Sequence, residues 1–438
     1  MIAPIKMPQR HCTSIMPRPY QITVHKQLVA VVTLLLMLQI DPAWSEERTQ
    51  VWSFDRAVQE ALATHPAILS RQSAQDAAKS DLDAASWQRY PTPSLQSAKQ
   101  EGGETSTILK LEQPLWTGGK ISSSIDGARS RLDASDAVIN EGKRDITLNL
   151  ISAYTEVLRL QARQEHAVKN VREHERLLQL VTRRVEREVT PPVDRGLAQS
   201  RLYRAINELS AIAQELSNAL MQLSQLAGKN IEKIAPLDAD SPEVPRSKQE
   251  AQKQAMEYSP TLARLAAEES EAQANIGSMR SAYLPQFALT YEKIYGSFPG
   301  SLPEGNRTML VMNIQPGSGL SSLSGVDSAI AKREAARQNR DTALRDLETS
   351  ISSDWNQLVA ARLRYENAAL SSKISNDVFE SYVRQYTAGR KSWLEVLNSV
   401  QEAASADMAA ADASAQITRS ALRLRLLTGN LKISPTAN

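Results

Sequence analysis

Read at Ile146, Leu150, Ala153, Val157, Leu160, Gln164, Ala167, Val171, His174, Leu178, Val181 and Val185, the chain steps by four and three residues in unbroken alternation. Of these positions all but Gln164 and His174 are apolar, and the residues between them include Arg159, Arg163, Lys169, Arg172, Glu173, Arg176, Arg183, Arg184 and Glu186. That is the seam of a coiled coil. No proline falls between Lys120 and Thr190, so a helix over most of the run would be about 100 Å long at ~1.5 Å per residue. A compact domain has no room for such a rod. It must pack along other long helices, as one elongated body.

Charge is nearly balanced, with 51 Lys+Arg against 49 Asp+Glu, so no basic surface suggests nucleic acid. Before the helices, Arg18, His25 and Lys26 precede an apolar run from Leu28 to Ile40. That run is too short for a membrane helix, and Ala43-Trp44-Ser45 supplies small residues for cleavage before Glu46. Residues 1–45 therefore read as a signal peptide of an exported chain. Cys12, the only cysteine, lies inside it, which leaves no disulfide. Past residue 45 no apolar run reaches eighteen residues, which excludes a membrane helix but not a β-barrel.

The chain is duplicated. Ala57 to Leu62 followed by His65-Pro66 parallels Ala251 to Met256 followed by Ser259-Pro260, with the prolines 194 residues apart. Tyr90-Pro91 and Leu284-Pro285 keep that spacing, whereas Gln113-Pro114 and Gln315-Pro316 are 202 apart. The extra residues fall in a loop-like stretch from Ser297 to Asn306. The expected organisation is a first repeat over 46–228, a proline-rich linker over 229–247, a second repeat over 248–429 and a tail over 430–438.

Each repeat reads as helix, two strands, long helix, turn, helix. In the first, a helix from Phe54 to about Arg89 precedes strands near Thr92–Lys99 and Thr105–Trp116. A long helix over Ile121–Glu188 and a return over Arg195–Ala227 follow, with Gly228 as terminator. In the second, strands near Phe287–Glu292 and Met309–Ile314 precede helices from about Val326 to Tyr386 and from Trp393 to Leu427. Leu109 and Leu111 alternate with Lys110 and Glu112, as Phe287, Leu289 and Tyr291 do with Thr290 and Glu292. Such alternation suits a barrel wall with lipid on one side and water on the other.

In this duplicated plan the chain resembles the TolC family of outer-membrane channel proteins. The resemblance covers essentially all of the chain after the leader. It is carried by the duplication, by Gln113-Pro114-Leu115-Trp116-Thr117-Gly118-Gly119 after a strand, and by the helix turn Tyr386-Thr387-Ala388-Gly389-Arg390-Lys391-Ser392-Trp393-Leu394-Glu395. It implies a mainly α fold with a β-barrel part: a homotrimer whose twelve-stranded barrel, four strands per chain, continues into a barrel of long antiparallel helices in the periplasm. The implied partners are the lipid bilayer, a periplasmic adaptor and an inner-membrane transporter, ATP-driven or proton-driven. Pro114, Gly118 and Gly119, with Pro316, Gly317 and Gly319, would form the strand-to-helix joints. The glycine- and serine-rich run from Gln315 to Gly325 departs from the family pattern and is similar to channels of type I secretion of adhesins.

By position, the resemblance implies that Tyr386 and Lys391 latch the far end shut, with Asp194 as the acid in the first turn. Glu395 would ring the constriction, and Asn398 stands where the family usually has a second acid, which implies weaker block by divalent cations. No enzyme, cofactor or metal site is expected. Gly118-Gly119-Lys120 lacks the rest of a phosphate loop, and His166 and His174 lie eight residues apart rather than four. The implied function is the exit duct of a tripartite export system, in the first place for type I secretion of a polypeptide such as a surface adhesin, with export of small molecules as the alternative. Without the resemblance, a secreted structural coiled coil is the alternative.

Overall fold

The computed structural model describes residues 51–99, 101, 103, 105–237, 244–296, 302–315 and 321–431. The expected signal peptide and the joint residues Pro316, Gly317 and Gly319 lie outside the described residues.

In chain order the elements are β1 (Val51–Trp52), α1 (Phe54–Thr64), α2 (Pro66–Trp87), β2 (Thr92–Lys99), β3 (Thr105–Trp116), α3 (Lys120–Glu186) and α4 (Pro192–Ala227). The second half supplies β4 (Lys233–Ile234), α5 (Lys248–Tyr258), α6 (Pro260–Ser281), β5 (Gln286–Tyr295), β6 (Gly305–Asn313), α7 (Ser321–Thr387) and α8 (Trp393–Leu427). The duplication is kept almost residue for residue. α1 and α5 have 11 residues each, α2 and α6 have 22, and α3 and α7 have 67.

One helix was expected from Phe54 to Arg89, but the chain breaks at His65. Proline has no N–H and crowds the residue before it out of helical geometry, so His65 is extended at φ −67 and ψ 124. The break is capped from both sides: His65 N donates to Ala61 O at 2.9 Å, and His65 Nδ1 accepts from Ala67 N at 3.2 Å. Ser259 repeats the arrangement before Pro260, with its hydroxyl accepting from Leu262 N. α7 starts at Ser321 rather than near Val326, so Ser321 to Gly325 are helix and not part of a loose joint. α4 starts at Pro192 rather than Arg195, because proline fits a first helical turn, where the N–H would lack a partner.

The helices pack side by side in a layer. α3 and α7 run its whole length. Nearer the strands the order is α2, α3, α6, α7; farther away it is α4, α3, α8, α7. Along α3 the seam turns inward as its spacing demands: Ile146, Leu150, Ala153, Val157, Leu160, Ala167, His174 and Val181 are buried. Each fully buried leucine of this kind contributes roughly 1.5–3 kcal/mol. The largest apolar cluster lies midway, where Phe54, Val58 and Ala61 of α1 pack on Leu150, Tyr154 and Val157 of α3 and on Leu223 of α4. The linker adds to it, because β4 pairs parallel with β1, Val51 opposite Lys233 and Trp52 opposite Ile234. The Tyr154 hydroxyl, buried beneath this pair, lies 2.7 Å from Ala235 O and 3.0 Å from Trp52 O.

The strands form one antiparallel sheet in the order β2-β3-β5-β6, so the two repeats join through β3 and β5. The register sets Leu95 opposite Leu109, Leu111 opposite Tyr291, and Leu289 opposite Leu310. These directly opposed neighbours share one face, and all six side chains are exposed on it. The opposite face is charged: Lys110 pairs with Glu112 at 2.5 Å, and Arg307 pairs with Glu292.

Candidate functional site

The two joints between strand and helix differ in what the structure describes. In the first, Pro114 sits past the end of the β2 pairing, which stops at Thr92 opposite Glu112. There its missing N–H removes no ladder bond on that side. The register slips between Pro114 and Trp116, which brings the Trp116 ring to 6.0 Å from Phe287. Gly118 and Gly119 follow at φ 62 and φ 88. A Cβ on Gly118 would lie 2.8 Å from Leu284 Cβ, so backbone geometry and space both require glycine there.

At the far end of the layer the chain turns twice. Between α7 and α8, Gly389 adopts φ 74, Gly389 N donates to Tyr386 O, and Arg390 N donates to Gln385 O at 2.8 Å. Between α3 and α4 the same turn is made without glycine. Glu188 adopts φ 60, Glu188 N donates to Val185 O, and Val189 N donates to Arg184 O at 2.9 Å. The two turns close an apolar cluster that draws on all four helices: Leu177 and Val181 of α3, Ala198 of α4, Phe379 and Tyr386 of α7, and Trp393, Val396 and Leu397 of α8.

Tyr386 is buried in that cluster. Its ring lies 5.1 Å from the ring of Trp393, and the Arg184 guanidinium lies 4.7 Å from its centre. Its hydroxyl is enclosed, with no hydrogen-bond partner among the described residues. Lys391 lies in the turn just before α8: Nζ donates to Glu395 Oε1 at 2.7 Å and sits 4.3 Å from the Tyr382 ring. Asp194 is half-buried, and its carboxylate forms no ion pair among the described residues. Its backbone oxygen instead accepts from Trp393 Nε1 at 3.1 Å. The structure thus brings both Tyr386 and Asp194 into contact with Trp393 and leaves Lys391 with Glu395.

Glu395 closes a capping box, accepting from Ser392 N at 3.0 Å while its own N–H donates to Ser392 Oγ. The ammonium of Lys391, together with the N–H and hydroxyl of Ser392, holds its carboxyl down at about 2. It therefore stays ionised under any ordinary condition. Asn398 is exposed one turn further on, so α8 presents Glu395 and Asn398 beside the exposed Leu394 and Glu402.

A second polar centre was not anticipated. Asp407, buried between α3, α7 and α8, accepts from Ser372 Oγ at 2.5 Å, Asn376 Nδ2 at 2.7 Å and Lys169 Nζ at 3.0 Å. Burial pushes its pKa up, but the donors from Ser372, Lys169 and Asn376 outweigh that and leave it below the usual carboxylate range. The readable signal was an acid inside the apolar run of Ala403, Ala404, Met408 and Ala411. His174, at its seam position, is buried, which pushes its imidazole down to about 4 and keeps it neutral. Among the described residues no group of His, Cys, Asp and Glu could hold a metal ion, and no helix is long and apolar enough to cross a membrane.

A layer of long antiparallel helices running into a sheet with one apolar and one charged face defines the wall of an outer-membrane channel. The chain belongs to the outer membrane efflux protein family, whose profile matches residues 57–229 and 251–430. This places it in the outer membrane, with its helices in the periplasm. It is 25% identical over 227 residues to the cobalt-zinc-cadmium resistance protein CzcC of Cupriavidus metallidurans, a match spanning 51% of this chain and 53% of that protein. Its fold is similar to the outer-membrane channel OprN, with a TM-score of 0.76 at 17% identity over 86% of this chain and 90% of that one. It is also similar to the outer membrane protein VceC of Vibrio cholerae, with a TM-score of 0.74 at 16% identity over 86% and 96%. The family sets aside the secreted coiled-coil rod.

Proposed function

We propose that three copies of this chain close into a duct, a twelve-stranded barrel continued by helices, which serves as the exit of a tripartite export system with a periplasmic adaptor and an inner-membrane transporter. The observation that carries this reading is the open-edged layer. β2 and β6 each leave one edge unpaired, and an unpaired strand edge is not tolerated in lipid. The helical layer ends the same way, in α2 and α4 on one side and α7 on the other. α7 exposes Val359, Leu363, Leu370 and Ile374 in one stripe, and α4 exposes Tyr203, Ile206 and Met221. One edge is suited to the other edge of a second copy, and a head-to-tail contact of this kind closes into a ring.

Small solutes are the better-supported cargo. The partial relative is a metal-resistance protein by name, whereas polypeptide secretion rests on the Gly/Ser run at Gln315–Gly325. Glu395 at the far end would make the duct favour cations. Single-channel recording of the purified protein in planar bilayers tests the duct: cation-selective currents, with selectivity reduced in Glu395→Gln, are expected. Deletion of the gene, followed by measurement of sensitivity to cobalt, zinc and cadmium and of secreted high-mass polypeptides, separates the two cargoes. No current from a detergent-purified, trimeric sample would remove the duct.

A further inference from the structure

Three side chains and one backbone carbonyl at the turn end, one group from each helix, touch in sequence. Arg184 of α3 lies over the Tyr386 ring of α7 at 4.7 Å. Tyr386 packs on Trp393 of α8 at 5.1 Å with an interplanar angle of 43°, and Trp393 Nε1 donates to Asp194 O in the first turn of α4 at 3.1 Å. The start of the series is fixed in turn, because Arg184 Nε donates to Thr190 Oγ1 and Arg184 O accepts from Val189 N. Tyr386 and Trp393 are both buried, at 5% and 4% exposure.

α4 packs along α3, and α8 along α7 and α3, while α4 and α8 share little contact of their own. The hairpins meet chiefly along α3 and α8, and Trp393 adds a hydrogen bond from the start of α8 to the first turn of α4. Neither side chain assigned as a latch by position does so inside the protomer. The Tyr386 hydroxyl is enclosed without a partner among the described residues, and Lys391 is held by Glu395 in the first turn of α8. What Tyr386 contributes is its ring.

We propose that Trp393 is the positioning residue that keeps this end of the duct closed, by tying the α7–α8 hairpin to the α3–α4 hairpin through Asp194 O, and that opening breaks this bond. The assignment rests on the duct reading above and adds to it which contact regulates the end. Tyr386 packs on the indole, and Arg184 lies over the Tyr386 ring. A hydroxyl latch and an indole tie make opposite demands on two substitutions. Removing the Tyr386 hydroxyl leaves the ring stack and the Trp393 bond intact. Removing the Trp393 N–H leaves the hydroxyl intact and cuts the tie.

The test is single-channel conductance of the full-length protein in planar bilayers for the wild type, Tyr386→Phe, Trp393→Phe and Trp393→Leu, with trimer integrity followed on native gels. The expected result is a wild-type conductance in Tyr386→Phe, a rise of about twofold in Trp393→Phe, which keeps a ring and loses the donor, and a rise of several-fold in Trp393→Leu. If Trp393→Leu does not assemble, Trp393→Phe decides alone, and wild-type conductance in it overturns the assignment. Increased conductance in Tyr386→Phe with none in the Trp393 variants also overturns it, while leaving the duct standing. No conductance in any protein, the wild type included, is instead the failure of the duct reading.

Discussion

Lys391 Nζ lies 2.7 Å from Glu395 Oε1, so the cation expected to reach across to another helix pairs instead with the acid that follows it in the first turn of α8. The consequence is a pH dependence. A carboxyl depressed from 4.5 to about 2 contributes stability that is complete above its unfolded value and is lost as pH falls through its folded one. If Glu395 lines the constriction, cation selectivity should persist as pH falls below 4.5 and fade only on approach to 2. Lys391→Ala removes the largest cause of the shift, so its loss of selectivity should move up towards 4.5. Reversal potentials across a salt gradient at pH 7, 5 and 3 measure both curves.

Asp407 makes a separate prediction about the middle of the wall. Asp407→Ala leaves the donors of Ser372 and Asn376 facing a buried space and Lys169 without its acid, at a cost of about 1–3 kcal/mol. Because the wild-type carboxyl is shifted down, its advantage is present above the usual carboxylate range and is lost as pH falls below it. Thermal unfolding of the two proteins should therefore differ clearly at pH 7 and converge in acid. A gap that stayed constant with pH would assign the loss to packing rather than to charge.

The two helix turns differ at one backbone position, and the difference is measurable. Glu188 holds φ 60 where the matching Gly389 holds φ 74, and a side chain there costs roughly 1–2 kcal/mol. Glu188→Gly should stabilise the protein by about 1 kcal/mol after the added unfolded-state entropy of glycine is allowed for. Gly389→Glu should destabilise it by a similar amount, since a Cβ there meets nothing within 4 Å and only the backbone resists. Denaturant midpoints of the two variants carry opposite signs on this account.

How far the sequence could be read depended on what bounds each element. β2 and β3 came out at Thr92–Lys99 and Thr105–Trp116, as expected, because Pro91 precedes the first, Gly102-Gly103 separates the two and two-residue alternation marks the second. α8 ran from Trp393 to Leu427 because Gly389 and Gly429 stand just outside it. The break at His65 was missed because apolar residues continue on both sides of Pro66. The β1–β4 pair was missed because two residues carry no period. The partners at the turns were beyond periodicity altogether. Lys391 could reach an acid four residues on or one on another helix, and local geometry favoured the nearer. Trp393 sits seven residues past Tyr386 across a reversal of the chain, a relationship that no helical or strand spacing describes.

The sheet offers the sharpest test of orientation, because adjacent residues of β6 should behave oppositely. Leu310 is 64% exposed on the face shared with Leu95, Leu109, Leu111 and Leu289. Its neighbour Met309 stands opposite Thr290, on the face that carries Glu292 and Arg307. In lipid, a lysine on the outer face near the middle of a strand costs about 2–4 kcal/mol, while one facing water inside a barrel alters selectivity more than stability. Leu310→Lys should therefore lower the yield of folded, heat-resistant protein in outer-membrane fractions. Met309→Lys should fold normally and shift the reversal potential towards anions. The reverse pattern would mean that the charged face meets lipid, and the sheet would have to be turned inside out.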